Sequence, residues 1–237
     1  MSTVRNFLKQ DVFIKVKKKL IARSVWQESP VQLHSLLLQG GMIQENPEDV
    51  IRSLRFPATN QFFEEGTIYP LFYDSNIKTL ILLNLLIEEI RPTIVIETGV
   101  ANGTSTRKIL SSFRDLNLGN SRLYSMDVNP KVATPDLMSN PQFNFILIDT
   151  PSSFKESMSK IGSVDLFYHD SDHSYKNQML EYETAWEMLN PVNGILVSDD
   201  INWSNAFLDF SKKVNLKPLL LSGGGKFTGV ISKGTHF

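Results

Sequence analysis

In the stretch Asp165–Tyr175, two carboxylates and two imidazoles come directly after the apolar run Leu166–Tyr168. The four side chains belong to His169, Asp170, Asp172 and His173. A second acidic pair, Asp199 and Asp200, follows another apolar run. Aspartate and histidine are residue types that bind divalent cations or transfer protons. The sequence contains no cysteine, so a metal in this protein would have to be bound by oxygen or imidazole ligands.

Length and composition restrict the kind of protein that could hold this cluster. The chain has 237 residues, which is enough for one large α/β domain but short for two. Its 24 basic and 25 acidic residues give a net charge of -1, so no overall field favours nucleic acid or anionic lipid. We therefore expect a small or neutral partner. The absence of cysteine also excludes disulfides and thiol nucleophiles, and it is compatible with a reduced cytoplasmic setting.

No part of the sequence predicts secretion or a membrane span. The first residues lack the apolar core and the small-residue cleavage site of a secretory signal. The longest apolar run, Leu80–Ile87, is interrupted by Asn84 and is far shorter than the roughly 18 residues of a membrane span. We therefore expect a cytoplasmic protein that has no membrane partner.

From residue 75 onwards, strand-like and helix-like segments alternate. The predicted strands are Thr93–Glu97, Arg122–Met126, Phe143–Ile148, Val164–Tyr168 and Gly194–Ser198, and a hairpin-like addition is expected from Pro218–Leu221 and Phe227–Ile231. The predicted helices are Ile77–Ile90, Gly103–Phe113, Tyr175–Leu189 and Asn205–Val214. This alternation favours a mostly parallel sheet with helices on both faces. Residues 1–74 are expected to form a helical extension or cap, and residues 75–237 the main domain.

A glycine-punctuated turn follows the first predicted strand. Glu97 ends the strand, Gly99 and Gly103 lie in the turn, and Thr104 follows Gly103 at the start of the next predicted helix. Such a turn lets the backbone approach a ligand closely, and the helix start offers free N–H groups. The spacing differs from the fingerprint of dinucleotide-binding proteins, and the carboxylate suits a cationic ligand better than a pyrophosphate. A purely structural tight turn is an equally good interpretation.

The next two predicted strands also end in acids. Asp127 can accept hydrogen bonds from a ribose diol, and Asp149 can accept one from an exocyclic amine. A single aspartate at a strand end is more often a helix or turn cap. Acids at successive strand ends, however, would all lie at the carboxyl edge of a parallel sheet, where ligands bind.

Taken in order, these motifs resemble class I S-adenosylmethionine-dependent methyltransferases. Asp170-Ser-Asp-His-Ser-Tyr175 and Gly194-Ile-Leu-Val-Ser-Asp-Asp200 are similar to motifs of the metal-dependent small-molecule O-methyltransferases of the macrolide-sugar and catechol types. The resemblance covers roughly residues 75–235. It implies a Rossmann-like, doubly wound α/β fold whose seven-stranded sheet has the order 3-2-1-4-5-7-6, with the last strand antiparallel.

The resemblance also implies roles for individual residues. S-adenosylmethionine would be bound by Glu97, Gly99, Gly103, Thr104, Asp127 and Asp149. A Mg²⁺ ion or another hard divalent cation would be bound by Asp170, Asp199 and Asp200, since three converging carboxylates repel one another strongly without a cation. His173 would be the general base that deprotonates a hydroxyl of a small-molecule substrate, and Asp172 would be an alternative base or would orient His173.

Several alternatives stay open at the level of sequence. The chain lacks the catechol type's lysine three residues after the first metal ligand, and Asp200 stands where that type has asparagine, which favours the sugar and natural-product relatives. The Asp/His cluster could instead serve a metal-dependent hydrolase, or the fold could be a metabolite-binding module without turnover. His169 is expected in a supporting role, and Trp203 in a pocket wall or in ordinary packing. An aromatic segment, comprising Phe62, Phe63, Tyr69, Phe72 and Tyr73, could close over the cofactor or fill the core. A homodimer is possible.

Overall fold

The computed structural model describes residues 67–70, 73–223 and 226–233, with Ser222 and Gly223 described by their backbone alone. The helical cap predicted for residues 1–74 therefore lies almost entirely outside the described residues. Phe62, Phe63 and Phe72 of the aromatic segment also lie outside them. None of the described helices has the length and apolar character needed to cross a membrane.

The described elements follow the alternation expected from the sequence. The strands are β1 (Ile94–Thr98), β2 (Arg122–Asp127), β3 (Phe143–Leu147), β4 (Leu166–His169), β5 (Ile195–Ser198), β6 (Leu219–Gly223) and β7 (Lys226–Ser232). The helices are α1 (Ile77–Ile90), α2 (Thr104–Asp115), α3 (Pro135–Met138), α4 (Pro151–Ile161), α5 (Tyr175–Met188) and α6 (Ala206–Lys213), with a 3₁₀ turn at Pro130–Val132. For the elements that were predicted, each predicted boundary lies within two residues of the observed one.

All seven strands of the described chain form one sheet in the order β3-β2-β1-β4-β5-β7-β6. Strands β1 to β5 are parallel, whereas β7 runs antiparallel to both β5 and β6. The expected doubly wound fold, including its strand order and its antiparallel last strand, is thereby confirmed. Because β1 pairs with both β2 and β4, the strand order reverses direction at β1. Ligands of such sheets bind at the carboxyl edge beside that switch point.

The sheet separates two apolar layers, because successive side chains of a strand point to opposite faces. Val95 packs in the layer formed with α1 and α2, whose buried members include Leu83, Ile109 and Phe113. The neighbouring Ile96 packs in the opposite layer, which contains Phe154 and Met158 of α4, Tyr182 of α5 and Phe207 of α6. Both faces of the central strands are therefore buried, as the continuous apolar runs predicted.

Helix α4 is an element that the sequence analysis did not predict. Its sequence is largely polar, and only Phe154 and Met158 are buried, one turn apart. Two apolar residues give too short a stripe to reveal an amphipathic helix. Its start is nevertheless well defined, because Thr150 and Ser153 form a capping box and Pro151 occupies the first turn.

Gly99, in the turn after β1, packs against the backbone of the loop after β4. Its φ is +83°, and a Cβ atom at this position would lie 2.1 Å from the carbonyl oxygen of Asp170. The glycine is therefore required by a close approach within the protein as well as by its left-handed conformation. The turn after β1 and the acidic loop after β4 are thus in direct contact.

We expect Gly99→Ala to lower the free energy of unfolding by about 3 kcal/mol or more, because the methyl group overlaps backbone atoms and the positive φ adds strain. Gly119→Ala is the matched control, since a Cβ there has no neighbour within 4 Å. Urea unfolding followed by circular dichroism measures both. Equal stabilities of the two variants would contradict the packing constraint.

Candidate functional site

A cavity of about 820 Å³ opens at the carboxyl edge of the sheet. Seven of the predicted site residues line it, namely Gly99, Asp127, Asp149, Asp170, Asp172, His173 and Asp200. Glu97, Gly103, Thr104 and Asp199 are not among its lining residues. Tyr69, Tyr73 and Trp203 add aromatic surface to the wall, and Phe154 and Pro151 of the unpredicted α4 line it as well. Both halves of the predicted site, the cofactor turn and the acidic cluster, therefore face one cavity.

Asp170 is held through one of its two carboxylate oxygens. Tyr168 Oη and Ser75 Oγ both donate to Asp170 Oδ2, each at 2.8 Å. Tyr168 is fully buried in β4, and Ser75 lies just before α1. The other oxygen, Oδ1, lies 3.6 Å from His173 Nε2. The carboxylate is therefore fixed in orientation while Oδ1 faces the cluster.

Asp199 is held in the same way and is fully buried. Thr228 Oγ1 and Thr79 Oγ1 donate to Asp199 Oδ1 at 2.7 and 3.2 Å. Its second oxygen, Oδ2, is buried and has no hydrogen-bond partner among the described residues. A buried carboxylate oxygen without a donor is costly, because its lost hydration is not replaced. This unpartnered oxygen makes the cluster a candidate position for a further positively charged group.

Asp200 completes the acidic group from a left-handed backbone conformation, with φ +49°. Aspartate tolerates this conformation better than most residues. Its Oδ2 lies 3.6 Å from His173 Nδ1. Asp170, His173 and Asp200 each offer a ligand atom within 4.8 Å of the others, and Asp199 is not a member of that group. His173, which was predicted as the base, is thus also within reach of a shared ion.

Lys226, at the start of β7, is a site residue that the sequence analysis missed. Its Nζ lies 3.2 Å from Asp200 Oδ2, and its side chain is largely buried. The lysine reaches the cluster because β7 pairs with β5, the strand that ends just before Asp199. No local sequence signal could have identified it, since the pairing depends on strand order.

The surroundings of the cluster shift the pKa values of its side chains. Burial, followed by the charges of Asp170 and Asp200, raises the pKa of Asp199 to about 7. Burial also raises the pKa of Asp200, although Lys226 and His173 oppose that effect. Burial alone would lower the pKa of His173, but Asp170, Asp200 and Asp199 more than reverse this, and its pKa is raised. These directions all reflect an excess of negative charge in a place with little water.

Asp172 is exposed, and its carboxylate forms hydrogen bonds within a local turn. Its Oδ1 and Oδ2 accept hydrogen bonds from the backbone N and the Oγ of Ser174, at 3.0 and 2.9 Å. Ser174 in turn caps the N-terminus of α5. The carboxylates beside His173 are those of Asp170 and Asp200, each 3.6 Å from one of its ring nitrogens.

Glu181 of α5 joins three segments of the cavity floor. Thr98 Oγ1 donates to Oε2 at 2.5 Å, and His169 Nδ1 lies 2.8 Å from the same oxygen. Ser171 Oγ and Asn177 Nδ2 donate to Oε1 at 2.6 and 3.0 Å. Burial would raise the pKa of Glu181, but His169 and the donated hydrogen bonds lower it overall. His169 therefore has the supporting role that was expected for it.

Glu97 lies beneath the glycine turn and is completely buried. Its oxygens accept hydrogen bonds from Ser105, Ser125 and Thr106, at 2.5, 2.6 and 2.7 Å. Burial raises the pKa of Glu97 to about 7, although the three hydroxyls oppose the shift. Gly103 caps α2 with a φ of +79°, and Thr104 is the first residue of that helix. These three residues belong to the turn or lie beneath it without lining the cavity, and their contact with a cofactor stays a prediction.

Asp127 and Asp149 lie at the cavity, where the successive strand ends were expected to bring them. Asp127 Oδ2 accepts from the backbone N of Val100 at 2.8 Å, and its Oδ1 accepts from the backbone N of Asn129 at 2.8 Å. A carboxylate has further lone pairs for a ligand diol. Asp149 is exposed just before α4. The two acids therefore border the part of the cavity that lies next to the glycine turn.

Tyr69 lies over the same part of the cavity. Asn102, in the glycine turn, accepts hydrogen bonds from the backbone N atoms of Ile68 and Tyr69 and donates one to the carbonyl oxygen of Tyr69, each at 2.9 Å. Asn129 Nδ2 donates to Tyr69 Oη at 3.2 Å. Of the aromatic segment considered in the sequence, Tyr69 and Tyr73 therefore face the cavity.

Solved structures share this fold. A methyltransferase of Podospora anserina bound to SAH has 16% identity and a TM-score of 0.54, with 78% of this chain and 86% of that chain covered. The O-methyltransferase TomG of Streptomyces achromogenes, involved in tomaymycin synthesis and solved with SAM, has 12% identity and a TM-score of 0.55, covering 68% and 82%. An O-methyltransferase of Bacillus cereus in complex with SAH has 16% identity and a TM-score of 0.53, covering 85% and 96%. Such similarity establishes the fold.

A family model described as a methyltransferase domain matches residues 96–201, while no curated protein sequence matches the chain. The matched segment runs from β1 to just past β5 and contains the glycine turn, both strand-end acids and the acidic cluster. It identifies this part of the chain as a methyltransferase domain, in agreement with the resemblance to methyltransferases seen in the sequence motifs.

We expect Glu97→Gln to change how stability depends on pH. The folded state raises the pKa of Glu97 from 4.5 to about 7, so the stabilising effect of its proton is present below pH 4.5 and is lost as the pH rises through 7. Relative to the wild type, the variant should gain about 3 kcal/mol of unfolding free energy across that interval. Asp199 titrates in both proteins and cancels in the difference.

Urea unfolding at several pH values between 4.5 and 8 measures this difference. Glu187→Gln, on the exposed surface of α5, is the matched control for removing one carboxylate. A difference between Glu97→Gln and the wild type that stays constant with pH would contradict the shifted pKa.

Proposed function

We propose that this protein is a divalent-cation-dependent O-methyltransferase that transfers the methyl group of S-adenosylmethionine to a hydroxyl group of a small molecule. The observation that carries the proposal is the convergence of Asp170, His173 and Asp200, whose ligand atoms lie within 4.8 Å of one another in the cavity that Gly99 also lines. The O-methyltransferase activity of two of the similar structures, from Streptomyces achromogenes and Bacillus cereus, supports it. The acceptor class expected is a sugar, a phenol or another natural product.

The residues of the cluster fit a hard divalent cation. Three carboxylates, two of them clamped by hydroxyl groups through one oxygen each, offer hard oxygen ligands of the kind that Mg²⁺ prefers. Hydroxyl donors that orient ligating carboxylates are typical of metal sites. Asp170, Asp199 and Asp200 would hold the cation. When bound, it would lower the pKa of an acceptor hydroxyl group and neutralise the cluster.

The protein's own residues position the two reactants. Gly99 and Asp127, with Asp149 farther along the edge, would hold the cofactor, and Glu97, Gly103 and Thr104 would shape the turn that it contacts. His173 lines the cavity between Asp170 and Asp200, and its imidazole would accept the proton of an acceptor hydroxyl group. Trp203 lies beside His173, with ring centroids 6.4 Å apart, and would wall the acceptor side.

Other expectations from the sequence remain predictions. A cytoplasmic location, a homodimer and the absence of nucleic-acid partners are among them. The hydrolase alternative loses support because the matched domain includes the cofactor turn as well as the Asp/His cluster.

We expect S-adenosylmethionine to bind with a dissociation constant of roughly 100 μM or less, within the range of ordinary enzyme affinities. Isothermal titration calorimetry with and without MgCl₂ measures it. Asp127→Ala should weaken binding because a ribose acceptor is lost, whereas the exposed Asp115→Ala should leave it unchanged. Absence of any binding heat would refute the proposed cofactor.

We expect Asp170→Asn and Asp199→Asn to abolish methyl transfer while leaving the affinity for S-adenosylmethionine within about threefold of the wild type, because the change removes cation ligands and not cofactor contacts. Transfer to a panel of phenols and glycosides, followed by mass spectrometry, gives the activity, and calorimetry gives the cofactor affinity. Asp115→Asn is the matched control. Full turnover in both cluster variants would mean that these carboxylates do not serve the reaction.

A further inference from the structure

The carboxylate cluster already contains an internal cation. Lys226 Nζ lies 3.2 Å from Asp200 Oδ2, with only 15% of the lysine side chain and 6% of the aspartate side chain exposed. Its charge also acts on Asp199. The lysine thus offsets part of the negative charge of the cluster inside the fold.

Lys226 and a divalent cation would compete for the same atom. Asp200 Oδ2 faces both Lys226 and His173, so a cation bound to this oxygen would have an ammonium group as its immediate neighbour. Two positive charges a few ångströms apart repel by several kcal/mol at the effective dielectric of a protein site. Binding of a cation to Asp200 therefore requires the ammonium group to move away.

The position of the lysine permits such a movement. Lys226 is the first residue of β7 and pairs with Gly223 at the end of the β6–β7 ladder. Its long, unbranched stem allows the ammonium group to change position while the backbone stays in the strand. Asp170 and Asp199, in contrast, are clamped by hydroxyl groups from Ser75, Tyr168, Thr79 and Thr228. The lysine is thus a charged group that can change position, whereas Asp170 and Asp199 are held by hydrogen bonds.

We propose that Lys226 is an internal counter-ion of the carboxylate cluster, which a divalent cation must displace from Asp200, and that this residue weakens the cation affinity of the site. The proposal rests on the cation site of the proposed function. In the cation-free protein, Lys226 stabilises the buried carboxylates. In the cation-bound protein, its ammonium group no longer contacts Asp200.

The test measures cation binding directly, without acceptor or turnover. Chelator-treated wild type, Lys226→Met and Lys226→Gln are titrated with MgCl₂ and with MnCl₂ in a calorimeter. Both substitutions remove the charge, and methionine keeps most of the length of the side chain. We expect each variant to bind the cation about tenfold more tightly or better, because the competing charge is gone. Lys217→Met, an exposed lysine just before β6, is the matched control and should not change the affinity.

Thermal unfolding supplies a second measurement. Without cation, Lys226→Met and Lys226→Gln should melt below the wild type, because the carboxylates lose their counter-ion. Saturating MgCl₂ should raise the melting temperature of the variants more than that of the wild type. Cation affinity that is unchanged or weaker in both folded variants would overturn the proposal, as would the absence of cation binding in all proteins.

These outcomes are separable from those for the proposed function. If the variants bind the cation and the wild type does not, the counter-ion role stands while the cation dependence of the wild-type reaction fails. If S-adenosylmethionine does not bind, the proposed reaction fails, whereas the competition between Lys226 and the cation can still be measured.

Discussion

The feature on which the rest of the site depends is the crowding of like charges at one edge of the sheet. Strands β4 and β5 are parallel neighbours, and His169 pairs with Ser198, so the acids that follow them emerge side by side. Asp199 is fully buried and Asp200 nearly so. Little water is left to screen their repulsion, and the folded chain must supply the compensation itself.

Hydrogen-bond donors and a positive charge from several elements compensate for the repulsion between the carboxylates. Hydroxyl groups reach it from the start of α1, from β4 and from β7, and each fixes one carboxylate oxygen. Positive charge comes from Lys226 on β7. Helix α1 and the β6–β7 hairpin, which would otherwise only cover and extend the sheet, are therefore part of the site. Some of their polar residues contact the carboxylates, and their apolar residues pack in the core.

The turn after β1 and the acidic loop after β4, which line two sides of the cavity, are in direct contact. Gly99 contacts the backbone of Asp170, so the turn after β1 and the loop after β4 cannot shift independently. Glu181 strengthens this connection by binding Thr98 at the end of β1, together with His169 and Ser171 at the end of β4. A methyl transfer needs two reactants held in a fixed relative orientation, and this connection between the two loops provides that rigidity.

The sequence by itself determined the order and type of most elements and the acids at the strand ends, because apolar runs and their polar ends are local patterns. It missed α4, whose two buried residues give almost no stripe. A motif also does not show whether a residue faces the cavity, as Gly99 does, or lies outside its lining, as Glu97, Gly103 and Thr104 do. Only the tertiary structure brought Lys226, Ser75, Thr79 and Thr228 to the cluster. Strand order and helix packing set these contacts between distant positions, and no local periodicity encodes them.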